Sequence, residues 1–373
     1  MREAEASRYT FPTMTQLAPT PKLACIDKKP LLIAGPCSAE TEQQVLDACT
    51  QLAATGRVDM LRAGIWKPRT KPGMFEGIGT KGLPWLQRAK QLTGLPVAVE
   101  VATAKHVEDC LAFDVDVLWV GARTTGNPFS VQEVANALRG VNVPVLVKNP
   151  IHAELELWVG AVERLAGAGV KELGLIHRGF ASYGNTDFRN APMWHLPIEM
   201  QRRLPGLPIV CDPSHICGRR DTLAAVAQQA IDLDFDGLML EAHPSPDHAW
   251  SDAKQQVTPA ALESLLAGLV WRHEPTADQR EFLTALASLR EQINQLDGEI
   301  LQLLGRRMAV AEKIGQYKKD NDITILQTNR WTEVLDRSLR QAQALGLTAE
   351  FVERYLEAVH LESIGRQNRV MNA

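Results

Sequence analysis

From residue 31 the chain repeats one hydrophobic pattern. Short β-branched, apolar runs alternate with longer stretches whose apolar positions recur every three or four residues. The runs fall at 31–34, 60–65, 97–101, 117–120, 143–147, 173–176, 207–210 and 237–240. Helical spacing follows at 40–54, 104–112, 130–138, 154–168 and 222–231. Runs that are apolar throughout predict strands buried on both faces, as in a parallel sheet. Eight strands alternating with helices predict an α/β fold, a closed (β/α)8 TIM barrel over 31–271, with a last helix at 258–271. An open doubly wound sheet is the alternative, but no G-x-G-x-x-G follows the first run.

The pattern changes after a short polar linker at 272–279. Leu286, Leu289, Ile293, Leu296, Ile300, Leu303, Val310, Ile314 and Tyr317 step by three and four, which predicts one long helix. A helix of roughly 40 residues spans roughly 60 Å. Two shorter helices, 330–344 and 349–368, follow it. They cannot cover such a length alone, so a small all-α three-helix domain at 280–373 is expected to form a homodimer. Residues 1–30, with Pro12, Pro19, Pro21 and Pro30, read as an irregular N-terminal arm.

Composition narrows the function classes. The 373 residues carry a formal net charge of −4, which argues against general nucleic-acid binding, so cations must be read as local sites. Six cysteines without a C-x-x-C pair point to a reduced, cytoplasmic chain. No apolar run is long enough to span a membrane.

The stretch from Leu61 to Gly79 begins as a buried strand and then places Arg62, Lys67, Arg69 and Lys71 in a segment stiffened by Pro68 and Pro72. A solvated basic loop is the plain reading. Arg69 beside Thr70 instead suits a phosphate held by several hydrogen bonds. In a barrel the active site lies at the C-terminal strand ends. There the chain carries Cys37, Arg62 with Lys67, Glu100, Arg123, Lys148, Arg178, His215 and Glu241. These cations exceed what one phosphate needs, so two phosphates, or a phosphate and a carboxylate, are expected. Cys37, His215 and Glu241, with Asp252 beyond the eighth strand, offer a mixed S/N/O set for a divalent metal. Taken singly they also read as a buried cysteine, a core histidine and a helix cap.

Gly35-Pro36-Cys37-Ser38, Lys67-Pro68-Arg69-Thr70, Gly121-Ala122-Arg123, Arg178-Gly179, Asp212-Pro213-Ser214-His215 and Glu241-Ala242-His243-Pro244 stand in order and spacing. As a set, over 31–271, they resemble the type I 3-deoxy-D-arabino-heptulosonate 7-phosphate (DAHP) synthases, in the branch shared with some 3-deoxy-D-manno-octulosonate 8-phosphate synthases. The resemblance implies condensation of phosphoenolpyruvate with erythrose 4-phosphate, the first step of the shikimate pathway. Lys-Pro-Arg-Thr favours the erythrose enzyme over one using arabinose 5-phosphate, while Lys71 and Glu76 depart from the pattern. By motif match, Arg62, Lys67, Gly121, Ala122, Arg123, Lys148 and Arg178 would hold phosphoenolpyruvate. Arg69 and Thr70 would hold the second phosphate. Cys37, His215, Glu241 and Asp252 would bind the metal, Mn²⁺ first, with Co²⁺, Fe²⁺ or Zn²⁺ as alternatives. Lys67, expected to have a depressed pKa among cations, would transfer a proton. Glu100 would position water.

From about Phe282 to Met371 the tail resembles the all-helical chorismate mutases. Leu289-Arg290-Glu291-Gln292-Ile293, Leu296-Asp297, Arg307, Gly315, Lys318, Arg330, Ser363 and Gln367 carry that resemblance. It implies an intertwined dimer in which Arg290 reaches a pocket lined by the partner's Arg307, Lys318, Gln327, Arg330, Ser363 and Gln367. Gln327 and Trp331 stand where the family often has acidic residues, and the change at Trp331 is expected to weaken recognition of the chorismate hydroxyl. Two roles follow for the tail. It is a mutase, or it is mainly a dimerising and regulatory module that senses chorismate or prephenate, with prephenate as a feedback effector of the barrel.

Overall fold

A computed structural model describes residues 30–68, 73–182, 187–272, 275–276, 278–326 and 328–373. Residues 1–29 of the expected arm (1–30), together with Arg69, Thr70 and Gln327, lie outside the described residues. The chain divides into two compact units, one up to Glu274 and one from Pro275.

The first unit is a closed barrel of eight parallel strands in sequence order, with β1 paired to β8. The strands are β1 (Leu31–Gly35), β2 (Met60–Arg62), β3 (Val97–Val101), β4 (Val117–Val120), β5 (Val145–Lys148), β6 (Leu173–His177), β7 (Ile209–Cys211) and β8 (Gly237–Glu241). The helices around it are α1 (Glu42–Ala54), α2 (Leu83–Thr93), α3 (Ala104–Ala112), α4 (Ala122–Thr125), α5 (Pro128–Ala137), α6 (Leu155–Gly167), α7 (His195–Arg203), α8 (Pro213–Cys217), α9 (Leu223–Asp232) and α10 (Pro259–Ala267). Six strands differ from their expected bounds, β1, β6 and β8 only by running one residue further. β2 ends at Arg62 rather than 65, while β5 and β7 each begin two residues late and run one residue further.

The strand period of two sorts side chains to opposite faces. Leu31, Ile33, Met60, Ala98, Val117, Trp119, Leu146, Ile176, Val210 and Met239 fill the barrel interior. Their alternates, such as Leu32, Leu118, Val147 and Leu175, pack against the helices. Helix starts are set by local chemistry. The Thr41, Thr103 and Thr258 side chains accept from backbone N–H groups of α1, α3 and α10, and Asn127 caps α5 with Pro128 behind it.

The second unit is three helices, α11 (Arg280–Asp320), α12 (Thr328–Ala344) and α13 (Ala349–Asn372). Met308, Ala311, Ala342, Val352 and Val359 are its buried apolar residues. Gly315 lets α11 and α13 approach closely, since a Cβ there would stand 3.0 Å from Gln367 Cα.

Barrel closure leaves no slack at the β1–β8 seam. A Cβ on Gly237 would stand 2.2 Å from Leu31 O. Gly237→Ala is therefore expected to cost about 1–3 kcal/mol, read as a lower urea midpoint. An unchanged midpoint would mean that the seam yields freely.

Candidate active site

The same period of two builds the site. Two residues beyond the inward apolar layer, each strand carries its next inward position. These positions are Gly35, Arg62, Glu100, Gly121, Lys148, Arg178, Asp212 and Glu241. Two glycines leave room, and the other six are ionisable. A Cβ on Gly121 would stand 2.3 Å from Glu100 Oε1, so only glycine fits beside that carboxylate.

Trp119 is the floor of this layer. Its Nε1 donates to Glu100 Oε2 at 2.9 Å, and its ring lies 5.0 Å from the Arg62 guanidinium carbon and 5.6 Å from Lys148 Nζ. Arg62, 1% exposed, pairs with Glu241 at 3.3 Å, and Lys148 pairs with Asp212 at 2.9 Å. Buried charges persist only when paired in this way. Arg62 nevertheless keeps Nε and Nη1 buried without a hydrogen-bond acceptor among the described residues. Arg178 donates to Asn190 Oδ1 at 2.7 Å. Burial lowers its pKa, yet it stays protonated at neutral pH. Arg123, on α4, is exposed at the mouth.

Cys37, Glu241 and Asp252 present donor atoms that all lie within 4.8 Å of one another. His215 stands beside this trio rather than in it. Its Nε2 lies 3.8 Å from Glu241 Oε1, and its Nδ1 lies 2.8 Å from Asp212 Oδ2. This short contact with the Asp212 carboxylate suits a proton on Nδ1, which would leave Nε2 bare toward the trio, the usual arrangement of a metal-binding histidine. Burial also lowers the His215 pKa, which keeps the ring neutral. Asp252 has φ +48°, a left-handed conformation unusual for a non-glycine residue. Glu241 Oε1 is buried and accepts no hydrogen bond among the described residues. Soft sulfur, two carboxylates and an adjacent neutral imidazole fit one divalent transition ion.

Lys67 requires a correction. The sequence places it among cations and suggests a depressed pKa. In the fold its Nζ lies 3.0 Å from both Cys37 O and Cys37 Sγ. Burial disfavours its charge, but Cys37, Glu241 and Glu100 outweigh that, so the pKa is raised. Glu100 stays ionised, since Lys148, Lys67 and Trp119 offset its burial. A cleft of about 290 Å³ beside it is lined by Trp66, Lys67, Pro68, Glu76, Glu100, Ala102 and His106, with Trp66 and His106 stacked 3.9 Å apart.

Sequence reasoning passed over Asp212 as a functional residue although it quoted the motif around His215. The signal was available, because Asp212 is two residues beyond the inward Val210. Asp212 caps α8, accepts from Lys148 and orients His215. Trp119 read only as core.

In the second unit a cavity of about 400 Å³ brings together Arg307, Lys318, Arg330, Ser363 and Gln367, with Trp331 and His360 stacked at 4.3 Å in its wall. Arg307 donates to Ser363 Oγ, and Gln367 Oε1 is buried without a partner among the described residues. Arg290 is exposed and does not line this cavity.

A closed barrel with ionised side chains at its strand ends and a cluster of metal-type donors defines a (β/α)8 enzyme scaffold. The chain belongs to the DAHP synthetase I family, whose profile matches residues 16–276, more than half of its length. That match begins inside the stretch expected to be an arm. A second profile, chorismate mutase type II, matches residues 289–368. A phospho-2-dehydro-3-deoxyheptonate aldolase of Thermotoga maritima is 33% identical over 226 residues, covering 61% of this chain and 64% of that protein. The chain thus spans just under two thirds of that relative's length. A 2-dehydro-3-deoxyphosphooctonate aldolase of Dechloromonas aromatica is 30% identical over 271 residues, covering 66% of this chain and 92% of the relative. Among solved structures, a DAHP synthase of Thermotoga maritima matches with TM-score 0.58 and 29% identity, covering 69% of this chain and 70% of that one. The chain thus joins a barrel of the DAHP synthetase I family to a domain that matches chorismate mutase type II. Among the described residues no helix is long and apolar enough to cross a membrane.

Burial pushes the Cys37 thiol up to about 12, with Glu241 adding to the shift. At pH 8 only roughly one molecule in ten thousand would then carry the thiolate. In the metal-free native protein, Cys37 is expected to resist iodoacetamide and to react on unfolding, read by mass spectrometry of its peptide. Rapid native labelling at Cys37 would contradict this environment.

Proposed function

We propose that the barrel condenses phosphoenolpyruvate with erythrose 4-phosphate to DAHP and phosphate, and that the tail rearranges chorismate to prephenate. The observation that carries the first half is the buried ionised layer, with donors of Arg62 left over after its own pairings. Phosphoenolpyruvate brings a carboxylate and a phosphate. Arg62, Lys148, Arg178 and Arg123 supply the cations for both, with the backbone of Gly121 and Ala122 beside them. Arg69 and Thr70 are assigned to the phosphate of the second substrate by motif alone.

Cys37, Glu241 and Asp252, with His215 through Nε2, would hold a divalent ion, Mn²⁺ being the first candidate. Such an ion, when bound, polarises the aldehyde carbonyl. The chain's own groups do the rest. The cations hold the enol carbon toward the aldehyde, where the new C–C bond forms. Lys67, an ammonium at neutral pH, gives a proton to the developing alkoxide oxygen. Glu100, ionised, orients the water that adds at the former enol carbon and accepts its proton, and phosphate leaves.

In the tail, cations facing one cavity suit a dicarboxylate, and Lys318 with Gln367 suits an ether oxygen whose bond is breaking. The outer stripe of α11, including Leu289, Ile293, Leu296, Ile300 and Leu303, is exposed in the single chain. That supports a homodimer in which Arg290 completes the partner's cavity. The same cavity is where prephenate would bind as a feedback signal. A cytoplasmic setting agrees with the five free, buried cysteines among the described residues.

Two assays test this. Phosphoenolpyruvate is expected to be consumed with erythrose 4-phosphate and not with arabinose 5-phosphate, and the reverse would move the barrel to the octulosonate reaction. Arg290→Ala and Arg307→Ala are each expected to lower mutase turnover by about 10²-fold or more and to spare the synthase. An equal mixture refolded together should recover about a quarter of wild-type mutase activity, because half the dimers carry one intact site. No recovery would contradict the shared site.

A further inference from the structure

Two glutamines beyond Asp252 have no part in the chemistry above, yet both amides are buried against the cluster. Gln255 is 1% exposed and Gln256 0%. They close the turn between Asp252 and Val257, which forms a parallel bridge with Ala242. Val257 N donates to Glu241 O at 3.1 Å, and His243 N donates to Val257 O at 2.9 Å. The turn is therefore pinned to the end of β8.

The Gln255 amide has a fixed sense. Its Oε1 accepts from Arg189 Nη1 at 2.7 Å, and its Nε2 donates to Glu241 Oε2 at 2.6 Å. A guanidinium can only donate and a carboxylate only accept, so a flipped amide would lose both bonds. Glu241 Oε2 is thus occupied, and Oε1 is the oxygen left without a hydrogen bond beside His215 Nε2. Gln256 works on the other ligands. Its Oε1 accepts from Cys37 N at 2.9 Å, and its Nε2 donates to Ser251 O at 2.9 Å, the peptide that precedes Asp252. One amide selects which carboxylate oxygen faces the cluster. The other sets the spacing of the two segments that carry the sulfur and the second carboxylate.

We infer that Gln255 and Gln256 are positioning residues that preorganise Glu241, Cys37 and Asp252 for a divalent ion, an inference that rests on the metal reading of that cluster. Neither amide touches the ion. Each acts through a ligand, as outer-shell partners do, and such partners are commonly worth 10–100-fold in metal affinity. Arg189 joins the same network, since its Nη1 also lies 3.1 Å from Asp252 Oδ1.

The test uses the full chain and Co²⁺ alone, without substrate. Affinity is read by competition with a chelating dye, and the near-ultraviolet thiolate-to-Co²⁺ band reports on Cys37. Gln255→Met removes both hydrogen bonds at similar volume. Gln255→Asn keeps an amide in the turn but is too short to span Arg189 and Glu241. Both variants are expected to bind Co²⁺ about 10–100-fold more weakly and to retain the band at saturation, because Gln256 still holds Cys37. Gln256→Met is expected to weaken binding and also to shift the band. Wild-type affinity in both Gln255 variants would overturn the positioning role while leaving the metal site in place. A wild-type chain that shows no thiolate band with Co²⁺ would overturn the metal reading, and this inference with it.

Discussion

Ionised side chains lie directly on the apolar interior of the barrel, and the site depends on their being paired there. Water cannot stabilise Arg62, Lys148, Asp212 or Glu241, all of which are nearly or fully buried. Each therefore needs an opposite charge at short range. Arg62–Glu241 and Lys148–Asp212 supply it, and Trp119 offers both cations the face of its ring from below. The pairing is incomplete on the cationic side, because Arg62 keeps two donor nitrogens without acceptors among the described residues. A dianionic ligand would complete it. Preorganised charge of this kind costs little reorganisation when substrate charge shifts during reaction.

How much of this could be read from the chain follows from which contacts are periodic. Strands and helices declared themselves because burial on both strand faces and on one helix face leaves a short-range pattern. The barrel helix beginning at Ala104 and the third tail helix beginning at Ala349 start where the pattern starts. Strand-end cations were legible because charge at the end of an apolar run is conspicuous. Lys67 was misread because its neighbours in sequence are cations, whereas its neighbours in space, Cys37, Glu241 and Glu100, arrive from three other strands. Trp119 looked like any core aromatic, since nothing along β4 says that Arg62 and Lys148 will sit above it. Nothing in the local pattern singled out Gln255 and Gln256, and only the bridge to β8 turns them inward.

The two units solve different problems with similar residues. In the barrel, cations are desolvated and balanced by carboxylates on neighbouring strands. In the tail, the described lining of the cavity holds Arg307, Lys318 and Arg330 with no carboxylate among them. A cavity with that imbalance suits an anion whether or not catalysis follows, so the proposed catalytic and sensing roles are compatible there. The stacked Trp331 and His360 replace an acidic side chain expected from the resemblance. They offer N–H donors and a flat face where a carboxylate would have accepted from a hydroxyl.

The most direct measurement is phosphoenolpyruvate consumption by the full chain with erythrose 4-phosphate, before and after exhaustive EDTA treatment, and again with Mn²⁺ restored. Activity should require erythrose 4-phosphate, vanish on chelation and return with Mn²⁺. Activity that survives complete chelation would contradict the assignment of Cys37, Glu241, Asp252 and His215 as metal ligands. No consumption under any condition would contradict the assignment of the ionised barrel mouth to phosphoenolpyruvate.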